Sequence, residues 1–310
     1  MEYRRLGNSG LKVSEVGLGC NNFGMRIDQE ATTAVVNAAI DAGITLFDTA
    51  DVYGGQGKSE EMLGKALAGK RDQVVLATKF AMPMGPGKTG GSRRYIMSAI
   101  EDSLRRLNTD YIDLYQMHRF DAETPLDETL SALDDLVTAG KVRYIGNSNY
   151  TGWQIADADW IAETQHMNRF VSAQNQYSLL ERKLEFEVTP ACERFGLGVL
   201  PFFPLASGLL TGKYRRGEAP PEGTRLAAWG PRGAAALSDG NFDKLEKLSD
   251  WADARGKSLL ELALAWLLGH PVVSSVIAGA TKPEQVNANA ATAAWKLTPA
   301  EVEEVGKLAA

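Results

Sequence analysis

Four side chains whose chemistry suits proton transfer lie at or just beyond short apolar runs of the chain. Asp48, Lys79 and His118 each end or follow such a run, and Tyr53 lies in the glycine-rich loop after Asp48. A carboxylate and a phenol in these places are better suited to chemistry than to packing. The alternative is that Asp48 only caps a turn and Tyr53 is a half-buried aromatic residue.

Together, these four groups would make a proton donor. An unperturbed tyrosine has a pKa near ~10, and a lysine ammonium beside it favours the tyrosinate and lowers that pKa. We expect Asp48 to keep Lys79 charged and directed, and His118 to orient a substrate oxygen. Such an acid suits a carbonyl oxygen that gains negative charge while a hydride reaches its carbon.

The apolar runs that would position these groups alternate with helical patterns along the whole chain. Eight runs serve as strand candidates: 16–19, 45–47, 74–78, 112–117, 144–146, 171–174, 199–202 and 273–277. Such alternation is typical of a parallel sheet covered by helices. We therefore predict an α/β fold, a single (β/α)8 TIM barrel over residues 1–310, in which functional groups lie at the carboxyl ends of the strands. An open doubly wound sheet is the competing topology.

Turns and caps add detail to this prediction. Residues 3–16 indicate an N-terminal β-hairpin, and the long loops 80–91 and 206–239 follow the third and seventh strands. Ser59 is predicted to cap the helix after the Tyr53 loop. Three pairs have the spacing of a capping box: Ser258 with Glu261, Thr281 with Glu284, and Thr298 with Glu301.

Composition excludes several classes of protein. The chain has 310 residues and a net charge of −6, which argues against a nucleic-acid-binding surface. Its longest nearly apolar segment, 259–268, is too short to cross a membrane, and no early apolar stretch indicates a signal peptide. The only cysteines, Cys20 and Cys192, predict no disulfide framework. We therefore expect a cytoplasmic protein without nucleic-acid or membrane partners.

Motifs of other enzyme classes are absent. The glycines at 17, 19 and 24 do not have the spacing of a Rossmann fingerprint. The Gly-Lys-Ser and Gly-Lys-Thr segments at 57–59 and 87–89 lack the first glycine of a phosphate-binding loop. Two distant cysteines and three scattered histidines offer no zinc site, so no metal is expected.

Six motifs follow one another in the order and spacing that the barrel predicts. They are GITLFDTA at 43–50 with Tyr53, TK at 78–79, YIDLYQMH at 111–118, GKVRYIGNSN at 140–149, LLTGK at 209–213 and GATKPEQ at 279–285. On these residues the sequence resembles the aldo-keto reductase superfamily over essentially its whole length. Residues 118–125 resemble its bacterial and fungal branch, which includes members similar to potassium-channel β-subunits.

The resemblance implies roles for many residues. Tyr53 would be the general acid, tuned by Lys79 and Asp48, with His118 orienting the carbonyl, and bound NADPH would deliver a hydride. Ser148, Asn149 and Gln174 match positions that hold the nicotinamide amide. The residues expected to contact NADPH or NADP⁺ are Asn21, Asp48, Ser148, Asn149, Gln174, Phe202, Ser207, Leu209, Lys213, Gly279, Thr281, Lys282, Gln285 and Asn289.

Lys282 is the residue we expect at the 2′-phosphate of NADPH. It begins a predicted helix capped by Thr281, and a helix N-terminus attracts phosphate through its free N–H groups. The alternative is a solvated lysine. Relatives often have arginine here, so strict preference for NADPH over NADH stays open.

The resemblance implies a small carbonyl compound as the substrate, and the sequence does not identify which one. Its pocket is predicted to be partly apolar and walled by Phe23, Met25, Met82, Met84, Arg119, Phe120, Arg225, Leu226 and Trp229. Two other functions stay open: a nucleotide-binding regulatory subunit of the channel β-subunit type, and a sugar or alcohol dehydrogenase that works in the oxidative direction. The sequence does not determine the oligomeric state.

Overall fold

A short antiparallel hairpin opens the chain and pairs β1 (Tyr3–Arg5) with β2 (Lys12–Ser14). The structure is a computed structural model that describes residues 1–231 and 233–310. Leu6 and Val13 of the hairpin region are fully buried against side chains inside the sheet that follows. The hairpin therefore closes the end of the barrel at which the strands begin.

Eight parallel strands form the main sheet within the described residues, as the sequence predicts. They are β3 (Val16–Gly19), β4 (Leu46–Asp48), β5 (Val75–Phe80), β6 (Ile112–Met117), β7 (Val142–Ser148), β8 (Ser172–Gln174), β9 (Gly198–Val199) and β10 (Val276–Gly279). From β3 to β9 each strand pairs with the next along the chain, and β10 pairs with β3. A bridge from Val199 to Val273 joins β9 to the residues before β10 and completes the predicted (β/α)8 barrel.

Helices cover the outside of the barrel. Those of the described part of the chain are α1 (Gln29–Asp41), α2 (Tyr53–Gln56), α3 (Lys58–Ala66), α4 (Arg93–Leu107), α5 (Leu126–Thr138), α6 (Gly152–Thr164), α7 (Leu184–Phe195), α8 (Arg225–Ala228), α9 (Pro231–Ala236), α10 (Asp239–Asp253), α11 (Leu259–Leu268), α12 (Pro283–Ala291) and α13 (Pro299–Leu308), with 3-10 turns at Arg71–Gln73, Ala206–Thr211 and Thr292–Ala294. Among these elements, no helix combines the length and the apolar character that crossing a bilayer requires.

The long loops after the third and seventh barrel strands are confirmed, but the second one is not structureless. It contains the 3-10 turn Ala206–Thr211 and the short helices α8 and α9. Two of the predicted capping boxes, which begin at Ser258 and Thr298, are present at the starts of α11 and α13. These caps satisfy N–H groups that the helices themselves leave without partners.

The strands place alternate side chains inside the barrel and against the helices. The interior is lined by apolar residues that include Leu46, Ala77, Leu114 and Leu200. Going two residues further along β4, β5 and β6 leads to Asp48, Lys79 and Gln116, which face the same way as the interior residues. Polar groups are thus gathered at the carboxyl ends of the strands, on top of an apolar barrel core.

Candidate active site

Tyr53 begins the short segment α2, in which Gly54 and Gly55 are not helical, so that it forms a loop leading into α3. Its chain turns through left-handed conformations, with φ of 72° at Gly54 and 98° at Gly57, which glycine adopts without strain. The predicted cap at Ser59 is wrong, because α3 begins at Lys58 after Gly57. The buried Ser59 hydroxyl instead donates to the Cys20 carbonyl at 2.8 Å. This bond ties the helix after the Tyr53 loop to the loop after β3.

Asp48 and Lys79 form a buried ion pair at the ends of β4 and β5. Lys79 Nζ donates to Asp48 Oδ2 at 2.6 Å and to the Thr49 carbonyl at 3.0 Å. Lys79 is 0% exposed and Asp48 is 3% exposed. Burial disfavours the ammonium, but Asp48 and Tyr53 outweigh it and raise the pKa of Lys79. Lys79 therefore carries a positive charge at neutral pH.

Tyr53 and His118 meet above this pair. The Tyr53 hydroxyl oxygen lies 3.5 Å from His118 Nε2, and Lys79 Nζ lies 5.0 Å from the centre of the Tyr53 ring. Burial, together with the charges of Lys79 and Arg119, lowers the pKa of His118 to about 3. The imidazole is therefore neutral in the physiological range and carries one ring proton.

The net pKa of Tyr53 differs from the sequence-based expectation. Burial raises this pKa above its ordinary value, and the lowering by the Lys79 ammonium offsets only part of that effect. A desolvated phenolate is costly, and the negative charge of Asp48 adds to the cost. Tyr53 therefore keeps its proton at neutral pH.

Two buried amides complete the surroundings of Asp48. Gln116 Nε2 and Gln174 Nε2 donate to Asp48 Oδ1 at 3.1 Å and 2.8 Å. Sequence reasoning assigned no role to Gln116. The available signal was a glutamine in the mostly apolar run 112–117, two positions before His118; its complete burial is visible only in the structure.

A cavity of about 660 Å³ opens over these groups at the carboxyl ends of the strands. It is lined by three of the four predicted catalytic residues and by most of the predicted cofactor residues: Asn21, Asp48, Tyr53, His118, Ser148, Asn149, Gln174, Phe202, Ser207, Lys213, Gly279, Thr281, Lys282, Gln285 and Asn289. Lys79 lies behind Asp48, and Leu209 is buried in the hydrophobic core. The structure brings these residues together, while their roles remain predictions.

Helix α12, at the rim of the cavity, does not begin with the predicted cap. Its N-cap is Lys282, and the predicted capping box between Thr281 and Glu284 is wrong. The Thr281 N–H donates to Gln285 Oε1 at 2.8 Å, so a glutamine one residue further along takes the place of the glutamate. Lys282 itself is exposed at the rim of the cavity.

Three cations border the middle of the cavity, and Arg26 among them was not predicted. Arg26 Nη2 donates to the Gly223 carbonyl at 2.6 Å, which links the loop after β3 to the loop after β9. In the described part of the chain, Arg26, Lys213 and Arg225 form no ion pair with a carboxylate. Burial and mutual repulsion lower the pKa values of Lys213 and Arg225. Such an arrangement favours an anion between them.

The residues predicted to wall the substrate pocket are dispersed. Only Arg225 lines the large cavity, and Met84 lines a second cavity between the loop after β5 and α4. The others lie elsewhere: Phe23 and Leu226 are fully buried in the core, Phe120 packs edge-to-face on Tyr150 and Trp153, Met25 is 70% exposed, Arg119 is exposed, and Met82 and Trp229 are partly buried. These assignments stay predictions.

Comparison with known proteins agrees with this geometry. The model of the Aldo/keto reductase family matches residues 15–310. An uncharacterized oxidoreductase of Bacillus subtilis (strain 168) is 42% identical, over 92% of this chain and 89% of its own length. A probable voltage-gated potassium channel subunit beta of Oryza sativa subsp. japonica is 38% identical, over 98% and 95%. The L-glyceraldehyde 3-phosphate reductase of Escherichia coli (strain K12) is 35% identical, over 93% and 86%.

The side chains that the structure describes form no group of three or more His, Cys, Asp or Glu that could hold a metal ion. The fold, the buried Asp48–Lys79 pair beneath Tyr53 and His118, and a family match over nearly the whole chain all agree. The chain belongs to the aldo/keto reductase family.

Proposed function

We propose that this protein reduces an aldehyde or ketone to an alcohol with NADPH, and that Tyr53 is the proton donor. The proposal is supported chiefly by one observation. Tyr53, His118 and the buried Asp48–Lys79 pair converge at the floor of the large cavity. Family membership supports an oxidoreductase, and the cofactor and the acid are inferred from the residues.

The residues that line the cavity fit NADPH. Lys213 and Arg225, with Arg26 beside them, offer positive charge to a pyrophosphate. The exposed Lys282 and the N-terminus of α12 offer a second anionic site, which suits the 2′-phosphate. Ser148, together with Asn149 and Gln174, offers polar groups to the nicotinamide amide next to Tyr53.

In the proposed reaction Tyr53 transfers its hydroxyl proton to the carbonyl oxygen. When bound, NADPH supplies the hydride that reduces the carbonyl carbon. The phenolate left on Tyr53 is stabilised by the Lys79 ammonium, whose own charge is balanced by Asp48. His118 is neutral, and with its proton on Nε2 it donates a hydrogen bond to the carbonyl oxygen of the substrate. Tyr53 then regains a proton from water.

The test is isotopic. The protein is incubated with NADPH that carries deuterium at both hydrogen positions of nicotinamide C4, together with a panel of aldehydes and ketones. We expect at least one substrate to yield an alcohol with deuterium on the carbinol carbon. Oxidation of NADPH without a deuterated alcohol, or no turnover on the whole panel, would contradict the proposed reaction. Running the same assay with NADP⁺ and alcohols tests the oxidative direction.

Similarity to proteins named as channel β-subunits favours a second candidate function. At 38% identity to one of them, this chain could serve as a nucleotide-binding regulatory subunit in which turnover is incidental. Tight NADPH binding, a stable complex with a membrane channel and negligible activity on every carbonyl would support that function over the first. Rapid turnover by the isolated chain would support the reductase.

A further inference from the structure

We propose that Gln116 is a positioning residue of this site, which orients both the Asp48 carboxylate and the Gln174 amide. This inference rests on the proposed function. In that function Asp48 balances the charge of Lys79 beside Tyr53, and Gln174 binds the nicotinamide amide. Gln116 does not line the large cavity, so it acts only through its neighbours.

The barrel provides a fitted space for this side chain. Gln116 is fully buried on β6, in register with Lys79 on β5 and with Gly146 on β7. A Cβ atom added to Gly146 would lie 2.3 Å from Ser172 Oγ and 3.3 Å from Gln116 Cγ. The missing side chain at Gly146 therefore makes room for Gln116 inside the barrel.

Gln116 helps to fix the plane of the Asp48 carboxylate. One oxygen, Oδ2, accepts the hydrogen bond from the Lys79 ammonium at 2.6 Å. The other, Oδ1, accepts from Gln116 at 3.1 Å and from Gln174 at 2.8 Å. With donors on both oxygens, the carboxylate cannot rotate without breaking at least one buried hydrogen bond.

Gln116 also determines which way the Gln174 amide faces. Gln174 Nε2 donates to Asp48 Oδ1 and, at 3.3 Å, to Gln116 Oε1. An amide nitrogen carries only two N–H groups, so both are used. A flipped Gln174 would set its oxygen against two acceptors. Gln174 therefore keeps its carbonyl oxygen available to a ligand in the cavity, where it can accept from the N–H of a carboxamide.

Two substitutions perturb these contacts in different ways. Gln116→Glu keeps the shape but replaces a donor by an acceptor and places a second carboxyl beside Asp48. The added negative charge disfavours the Tyr53 phenolate, so the fall of kcat/KM at high pH should move upward by about one pH unit. Gln116→Met keeps the length without a charge or a polar group. It removes the hydrogen bonds to both Asp48 and Gln174 but adds no charge, so it should weaken NADPH binding about fivefold to thirtyfold while leaving the pH profile in place.

Both variants are compared with wild type and with Gln165→Glu, a matched charge change at the exposed end of α6. Circular dichroism checks the fold, NADPH fluorescence titration gives Kd, and kcat/KM is measured across the pH range. We expect Gln165→Glu to match wild type throughout. A folded Gln116→Glu variant with an unchanged profile, together with wild-type NADPH affinity in Gln116→Met, would overturn the proposal. Failure of both variants to fold would mean that Gln116 is only structural, and would overturn it too.

The affinity measurement keeps this inference separate from the proposed function. NADPH binding requires no turnover, so it can be compared between wild type and Gln116→Met even if no carbonyl is reduced. Absence of turnover in wild type with weaker binding in Gln116→Met would defeat the proposed reaction and retain the role of Gln116 in orienting Gln174. Normal turnover in wild type, with unchanged NADPH binding and an unchanged pH profile in both variants, would retain the proposed reaction and defeat the role of Gln116.

Discussion

Replacing Lys79 by methionine should destabilise the fold through the charge that it leaves behind. Asp48 is 3% exposed and would lose the ammonium 2.6 Å away, keeping only the two amide donors on its other oxygen. Removing one partner of a buried pair costs about 3–5 kcal/mol. We therefore expect the free energy of unfolding of Lys79→Met, measured in urea at pH 7, to fall by about that much.

The double variant Asp48→Asn/Lys79→Met tests the cause. It removes both charges, and the oxygen of an asparagine can still accept from Gln116 and Gln174, so it should be at least about 2 kcal/mol more stable than Lys79→Met alone. Lys307→Met, which breaks an exposed pair with Glu303 on α13, should leave the free energy of unfolding nearly unchanged, because water screens such a pair. A double variant no more stable than Lys79→Met would refute the reasoning, because an unpaired charge would then not be the source of the loss.

Three further predictions concern single groups. Burial and the neighbouring Glu60 raise the pKa of Asp51 to about 7, so the folded protein holds a proton that the unfolded chain releases near pH 4. The free energy of unfolding should therefore fall as pH rises from about 4 to about 7, and Asp51→Asn should remove this fall in urea titrations. Parallel curves of stability against pH for the two proteins would contradict this prediction. The NMR signal of the His118 ring, assigned with His118→Gln, should not titrate between pH 5 and 8, since its pKa is lowered to about 3; a midpoint near 6.5 would show a charged ring. Lys282→Ala should weaken NADPH binding about tenfold and leave NADH binding nearly unchanged by titration calorimetry, whereas equal losses would remove Lys282 from the 2′-phosphate.

Much of the barrel could be predicted because strand and helix periods are local properties of the sequence. The apolar runs gave the strands, and residues at the carboxyl end of a strand must meet at one rim. That is why Asp48, Lys79 and His118 could be grouped without coordinates. The capping boxes at Ser258 and Thr298 were equally local, since cap and partner lie three residues apart.

Other features depend on competition or on the direction of side chains. Ser59 has the residue type of a cap, but the left-handed Gly57 starts the helix earlier and turns the serine into the core. Gln285 competes with Glu284 for the Thr281 N–H. The predicted pocket residues Phe23 and Leu226 lie in suitable loops, but the sequence does not indicate that both side chains point into the core.

The pKa of Tyr53 could not be predicted because two opposing effects depend on distance and burial. The sequence indicates the Lys79 charge but not the depth at which the phenol lies, and burial has the larger effect. Gln116 is a similar case, since its role can be inferred only when its hydrogen-bond partners Asp48 and Gln174 are known.

The role of Tyr53 as proton donor is tested most directly by a single-turnover measurement on Tyr53→Phe with NADPH already bound. The phenyl ring keeps the packing and removes only the hydroxyl, so NADPH affinity should match wild type while the rate of carbonyl reduction falls at least about a hundredfold. A wild-type rate in a variant that binds NADPH normally would contradict the assignment of Tyr53 as the acid.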